Sequence, residues 1–115
     1  MSPVYHALAA LSIGLFLYYG FSCLFSEGMV EEFERFGLSR FRRTTGALEM
    51  LGALGLILGY AVPEIAALSA AGLTVLMILG TWTRIRVGDA FVEMIPAIVL
   101  GAVNAVLVWM ALGRI

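Results

Sequence analysis

Four long apolar stretches constrain the fold of this chain more than any other feature of its sequence. They cover residues 4–25, 45–62, 65–85 and 91–112, so each is 18 to 22 residues long. About 20 residues of α-helix cross the hydrocarbon core of a membrane. Only helices and closed barrels can cross lipid with their backbone polar groups paired, and these stretches lack the alternation of barrel strands. The sequence therefore predicts four transmembrane helices.

The composition excludes several other classes of protein. Hydrophobic residues make up 62% of the 115 residues and charged residues 13%, against about 45–50% and about 25% in ordinary soluble domains. A soluble domain of this size buries only about two-thirds of its surface, which would leave much apolar surface in water. We therefore exclude a soluble enzyme, a nucleic-acid binder and a disordered segment. We expect an integral protein of the lipid bilayer, in a bacterial inner (plasma) membrane.

The connections between the stretches predict the topology. A turn at Pro63 and Glu64 would be short enough to force an antiparallel hairpin between the second and third helices. The other two connections would then lie together on the opposite side of the membrane. Six of the seven basic residues lie in or beside those two connections. The positive-inside rule places them in the cytoplasm, with both termini outside. The predicted fold is all-α, a membrane-embedded antiparallel four-helix bundle forming a single domain over residues 1–115.

The first connection contains a short amphipathic segment. Within residues 27–36, apolar side chains recur at spacings of three and four, which predicts a helix too short to cross the membrane and suited to its interface. We expect Phe33 and Phe36 to point inward and Glu31 and Glu34 to face water. The residues predicted to anchor this region at the membrane surface are Phe33, Phe36, Phe41, Arg42 and Arg43.

Glu49 is an ionisable residue within a stretch that is predicted to cross the membrane. Glu49 is about four residues inside the second stretch, and intramembrane carboxylates usually face a protein interior and have partners. The topology brings polar residues of the other three helices to the same depth. We therefore predict a ligand or proton site formed by Glu49, Tyr19, Cys23, Arg84 and Glu93. Arg84 is the favoured ionic partner, since its long side chain can reach down from the interface.

Two interpretations of Glu49 stay open at this point. Its carboxyl could be protonated or ion-paired and simply lock two helices together, or it could transfer protons or contact a ligand. The single cysteine, Cys23, and the lack of paired His or Cys-x-x-Cys spacing lead us to expect no metal. A quinone or a lipid remains open as the ligand.

Four segments resemble the DoxX-like family of small four-helix membrane proteins, and the similarity runs through nearly the whole chain. They are residues 19–23 (YGFSC), 32–38 (EFERFGL), 45–55 (TGALEMLGALG) and 84–89 (RIRVGD). The resemblance implies a four-helix bundle. Relatives have been linked to membrane thiol and thiosulfate oxidation, to quinone-associated oxidoreductase complexes and to assembly of receptor channels. It supplies no agreed catalytic residues, and relatives carry Gln or another polar residue at the position of Glu49.

Three functional hypotheses follow. The leading one is an accessory or scaffold protein that binds a membrane-protein partner or a lipophilic small molecule in a cavity near Glu49. The second is a subunit of a membrane thiol, thiosulfate or quinone-linked oxidoreductase, with Cys23 and Tyr19 near the reactant. The third is a small proton-coupled transporter that works as a homodimer, with Glu49 as the titrating group.

Overall fold

The computed structural model describes residues 2–115, and this part of the chain is all-α with no strand. Its five α-helices are α1 (Pro3–Phe25), α2 (Glu27–Phe36), α3 (Arg42–Leu58), α4 (Pro63–Arg86) and α5 (Phe91–Leu112). A single 3-10 turn, Ser39–Phe41, leads from α2 into α3.

Three of the five helices, α1, α4 and α5, are long and apolar enough to cross a membrane. Helix α3 is not among them, because its 17 residues extend only about 25 Å at 1.5 Å per residue. The prediction of four membrane-spanning helices is therefore confirmed for three of them. The bounds of α5 and α2 are those predicted from the sequence.

The predicted turn at Pro63 and Glu64 is wrong. Helix α3 ends at Leu58, residues 59–62 form the connection, and Pro63 is the first residue of α4. Proline suits that position because its fixed φ matches the helix and its missing N–H would have had no helical partner. Val62, the residue before it, is extended with φ −129° and ψ 100°, as residues before proline prefer. The second predicted stretch therefore loses its last four residues, and the third gains two at its start and one at its end.

Four helices pack side by side in neighbouring pairs. Helix α1 contacts α3 and α5, and α4 contacts the same two helices. Across the α1–α5 contact, the buried hydroxyl of Ser12 donates a 3.0 Å hydrogen bond to the side-chain oxygen of Asn104. The interior around it is apolar. Its largest fully buried apolar residues are Tyr5, Phe16, Leu56, Leu73 and Leu107.

Glycines bring α3 against α4 at the end where the two helices are connected. A Cβ added to Gly59 would collide with the backbone of Ala66, and one added to Gly55 would overlap the hydroxyl of Ser69. An earlier residue of α3 therefore lies against a later residue of α4, which makes the two helices antiparallel. Small residues permit this close approach, which matters because lipid offers no hydrophobic drive for helix association.

Helix α2 covers one end of this assembly. Phe33 and Phe36 are 7% and 9% exposed, whereas Glu31 and Glu34 face outward. Gly37 ends the helix with φ 73°, a left-handed conformation that glycine adopts at little cost. The apolar side of α2 thus faces the other helices.

We expect Gly59→Ala to destabilise the protein, because the added methyl group meets backbone atoms of α4 that cannot rotate away. The expected loss is about 1–3 kcal/mol in the free energy of unfolding in detergent. The matched control is Gly72→Ala, since a Cβ there meets nothing within 4 Å. Alanine is the better helix former by about 1 kcal/mol, so the control should be neutral or stabilising. Equal destabilisation by both variants would contradict the close contact.

Candidate functional site

A cavity of about 210 Å³ lies at the end of the protein that α2 covers, and all five helices contribute to its wall. Its polar lining includes every residue that the sequence predicted for a ligand or proton site. These are Tyr19 and Cys23 of α1, Glu49 of α3, Arg84 of α4 and Glu93 of α5. The rest of the wall is mainly apolar. Whether ligands or protons use this cavity stays a prediction.

Glu49 is the most unusual group in the cavity wall. It is 5% exposed, and its Oε2 atom is buried with no hydrogen-bond partner within residues 2–115. It shares the buried face of α3 with Gly46 and Ala53, at spacings of three and four residues. A buried polar atom without a partner costs about 1–3 kcal/mol. A polar group of a ligand in the cavity could remove that cost.

The favoured ion pair between Glu49 and Arg84 is not formed. The guanidinium of Arg84 donates instead to Asp89 Oδ2 at 2.9 Å and lies 3.6 Å from Glu32. The turn after α4 explains the difference. Gly88 adopts φ 80°, and the Asp89 N–H then donates to the Arg84 carbonyl, which places the carboxylate of Asp89 beside this guanidinium. Arg84 therefore pairs with a carboxylate of the turn that follows its own helix rather than with Glu49.

Four charged side chains connect α2 to the turn between α4 and α5, and we call Glu32, Arg35, Arg84 and Asp89 the α2 latch. Arg35 donates to both carboxylate oxygens of Asp89, at 2.5 and 3.1 Å, and to Glu32 at 2.7 Å. These hydrogen bonds from Arg35 hold the pKa of Asp89 below its ordinary value and raise the pKa of Arg35 itself.

The α2 latch lies at the mouth of the cavity. Its four residues and Glu93 line a shallow polar depression on the surface, and two of them, Arg84 and Glu93, also line the Glu49 cavity. Beneath the latch, Phe36 lies under both guanidinium groups, with ring-centre distances of 4.9 Å to Arg35 and 5.3 Å to Arg84. The latch therefore covers this mouth of the cavity with paired charges over an aromatic ring.

The predicted membrane anchors divide into two groups. Phe33 and Phe36 point into the protein and pack near Cys23. Arg42 also turns inward, where it donates to the carbonyl of Cys23 at 2.5 Å and to that of Leu24 at 3.1 Å. These carbonyls belong to the last turn of α1 and have no helical partner. Arg42 therefore caps α1. The other two predicted anchors, Phe41 and Arg43, are exposed.

Sequence reasoning missed a cluster at the opposite end of the protein. The rings of His6 and Tyr60 are stacked with centres 5.5 Å apart, and His6 Nδ1 lies 3.1 Å from the Tyr60 hydroxyl. Arg114 lies over the Tyr5 ring and donates to the Tyr60 carbonyl at 3.2 Å. We call these four residues the terminal cluster. The only feature of the sequence that could have indicated this cluster is that all four residues lie near helix ends, and the predicted topology puts those ends on the same side of the protein.

The terminal cluster joins α1, the connection after α3 and the chain end, and its contacts are structural. Metal binding has no evident site in the described part of the chain, where no three His, Cys, Asp or Glu side chains are grouped to hold an ion. The Glu49 cavity is the candidate site for small molecules, because it combines a mainly apolar wall with a buried, unpartnered carboxylate oxygen.

The chain belongs to the DoxX-like family, whose sequence pattern matches residues 7–110, nearly the whole chain. This match confirms the resemblance recognised in the sequence and, with the three long apolar helices, identifies an integral membrane protein. No curated protein and no solved structure matches the chain.

We expect the α2 latch to hold at neutral pH and to open only in strong acid. Because the pKa of Asp89 is lowered in the folded protein, its stabilising contribution is complete above the ordinary value of about 3.9 and is lost as the pH falls below it. The protection of the α2 amides from hydrogen exchange, corrected for the intrinsic exchange rate, should therefore stay constant from about pH 7 to about pH 5. Asp89→Asn should speed this exchange several-fold at neutral pH. Exposed Glu31→Gln, the control, should leave it unchanged; a similar increase in both variants would contradict the latch.

Proposed function

We propose that this DoxX-like membrane protein binds a small lipophilic molecule in the Glu49 cavity and acts as an accessory or scaffold protein. The observation that carries the proposal is the buried, unpartnered Oε2 of Glu49 in a cavity walled by all five helices. Ligand sites are typically mostly apolar concavities with a few polar groups that fix orientation. The Glu49 cavity has this character.

The size of the cavity limits what it can hold. Its volume of about 210 Å³ is below the range of about 300–1,000 Å³ that is usual for pockets that enclose drug-sized ligands. A small molecule, or the head of a longer one, fits this space. Such a ligand would have an apolar body for the walls and one polar group for Glu49.

We further propose that α3 crosses the membrane together with α1, α4 and α5, as a single four-helix domain. Its outer face exposes Leu51, Leu54 and Leu58, and lipid is the environment that such a face favours. Helix α2 would then lie at the cytoplasmic interface, with the α2 latch among the headgroups. This orientation puts the arginine-rich connections inside, as the positive-inside rule requires.

A cysteine-labelling experiment tests this topology. In a Cys23→Ser background, single cysteines at Ser2, Arg114, Ser39 and Ala90 are treated in intact cells with a membrane-impermeant maleimide. We expect labelling at Ser2 and Arg114 and none at Ser39 and Ala90 until the cells are opened. Labelling of Ser2 and Arg114 on opposite sides would contradict the four-span arrangement. The reverse pattern at all four sites would overturn only the orientation.

The ligand-binding proposal predicts that Glu49 retains a small molecule during purification. Loss of one hydrogen bond to a charged or strongly polar group costs about 1.5–3 kcal/mol, so Glu49→Leu should weaken binding about tenfold to hundredfold. Mass spectrometry of solvent extracts from the purified wild type, Glu49→Leu and Glu64→Gln measures the loss. Glu64 is exposed at the far end of α4 and serves as the control.

The wild type and Glu64→Gln should carry the same co-purified molecule in similar amounts, and Glu49→Leu should carry much less. If all three proteins carry identical sets of molecules in equal amounts, the binding proposal is wrong. A cooperative unfolding transition of Glu49→Leu in detergent shows that any loss of ligand does not come from misfolding.

An oxidoreductase subunit is the second candidate, because the thiol of Cys23 lines the same cavity. Cys23 is 1% exposed, so a reactant would have to enter the cavity to meet it. Cys23→Ser separates the two candidates: a binding role keeps the co-purified molecule and cellular function, whereas a thiol-based reaction loses the function.

A further inference from the structure

We infer that the ligand is a single-chain lipid with an uncharged, hydroxyl-bearing head, such as a monoacylglycerol, and that it enters from the bilayer between α3 and α4. The head would lie in the Glu49 cavity and the acyl chain in a neighbouring groove. This inference rests on the proposed function, since it takes the Glu49 cavity as the binding site.

A second cavity of about 350 Å³ lies beside the first, below α2 and between α3 and α4. We call it the lateral groove. One layer of side chains separates the two spaces, because the same residues line both. The shared residues are Phe33, Phe36, Thr45, Leu76 and Gly80.

The lateral groove exists because α3 and α4 diverge. They touch through Gly59 and Gly55 at their connected end, where no added Cβ could fit. At Gly80, near the other end of α4, an added Cβ meets nothing within 4 Å. The groove is lined there by Thr45 and Leu48 of α3 and by residues 76–83 of α4, so the two helices pack less tightly at the end that carries Glu49 than at their connected end.

The outer rim of the lateral groove is apolar and exposed. Its members Phe41, Leu48, Leu79 and Trp82 have 42%, 46%, 55% and 60% of their surface exposed. In an integral membrane protein, such side chains face acyl chains rather than water. An acyl chain is therefore the occupant that this groove can receive without any opening to the aqueous side.

The chemistry of the Glu49 cavity selects the head group. Oε2 of Glu49 has no partner, and a hydroxyl can either donate to a carboxylate or accept from a carboxylic acid. An ionised head would have to leave water and cross the groove, which is costly without a counter-ion. An uncharged hydroxyl avoids that cost. The groove volume of about 350 Å³ is at the low end of ligand pockets, which favours one chain over two.

The aqueous route is the less favourable one for such a lipid. The mouth on that side is closed by the α2 latch, in which Arg35 and Arg84 share Asp89. An acyl chain passing there would have to displace paired charges and expose apolar surface to water. The lateral route crosses only the wall that the two cavities share, which includes Phe33 and Phe36 and carries no charged side chain.

The test uses a monopalmitoylglycerol that carries a photoreactive diazirine in the middle of its chain. The purified protein in phosphatidylcholine nanodiscs is irradiated with this probe, and the modified residues are mapped by mass spectrometry. We expect labelling to concentrate on Leu48, Leu79 and Trp82 and to fall with excess unmodified monopalmitoylglycerol. A phosphatidylcholine with the same diazirine should label lipid-facing residues all around the protein, including Leu68 on the far half of α4.

Gly80→Leu and Gly72→Leu form the matched pair of variants. Both glycines lie in α4 with open space at the Cβ position, but only Gly80 lines the two cavities. We expect Gly80→Leu to reduce competable labelling by about tenfold, equal to about 1.4 kcal/mol, and Gly72→Leu to leave it unchanged. Glu49→Leu should give a similar loss by removing the partner of the head group.

Each outcome has a distinct meaning. If competable labelling depends on Glu49 but occurs away from the groove, or survives Gly80→Leu, the ligand site stands and the lateral route is overturned. If labelling is insensitive to Glu49→Leu, the proposed binding site itself fails. If the probe labels the wild type no differently from the phosphatidylcholine control, the monoacylglycerol class is wrong. This last comparison uses the wild-type protein alone, so its outcome does not depend on the folding of any variant.

Discussion

The close contact between α3 and α4 at Gly59 and Gly55 is the constraint on which the rest of the structure depends. In lipid there is no hydrophobic gain when two apolar helices meet, so their association rests on close packing and a few hydrogen bonds. The glycines supply the packing between α3 and α4, and Ser12 and Asn104 supply a buried hydrogen bond between α1 and α5. The Glu49 cavity lies where this tight packing stops.

The position of Glu49 is informative because packing between α3 and α4 is tight at one end and loose at the other. At the connected end of α3 and α4, no space is left for a side chain, let alone a ligand. At the other end, all five helices leave a cavity and direct polar groups into its wall. A carboxylate within the packed end could only have been structural. One at the edge of a cavity, with an oxygen that no neighbouring group satisfies, has room for a partner from outside the chain.

The sequence predicted the helices better than their side-chain partners. Helices α2 and α5 were delimited correctly, because apolar spacing and Gly37 mark α2, and a long apolar run with Glu93 as its one charge marks α5. Pro63 was predicted in a turn but begins α4, because proline is favoured both in turns and at the first position of a helix. Arg84 lines the same cavity as Glu49, but periodicity does not say which of several carboxylates lies closest to its guanidinium. The terminal cluster was missed because its partners are 54 and 109 positions apart in the chain.

The terminal cluster and the glycine contact also have a mechanical consequence. Together they tie the helices at one end, where Arg114, Tyr60, His6 and Tyr5 join both chain ends to the connection after α3. Gly80 is about 21 Å along α4 from the contact at Ala66. A slight tilt of α4 about that contact would therefore move the cavity end of the helix most and the terminal end least. A change in bilayer thickness that tilted α4 would therefore alter the volume of the cavity while leaving the terminal cluster almost unchanged.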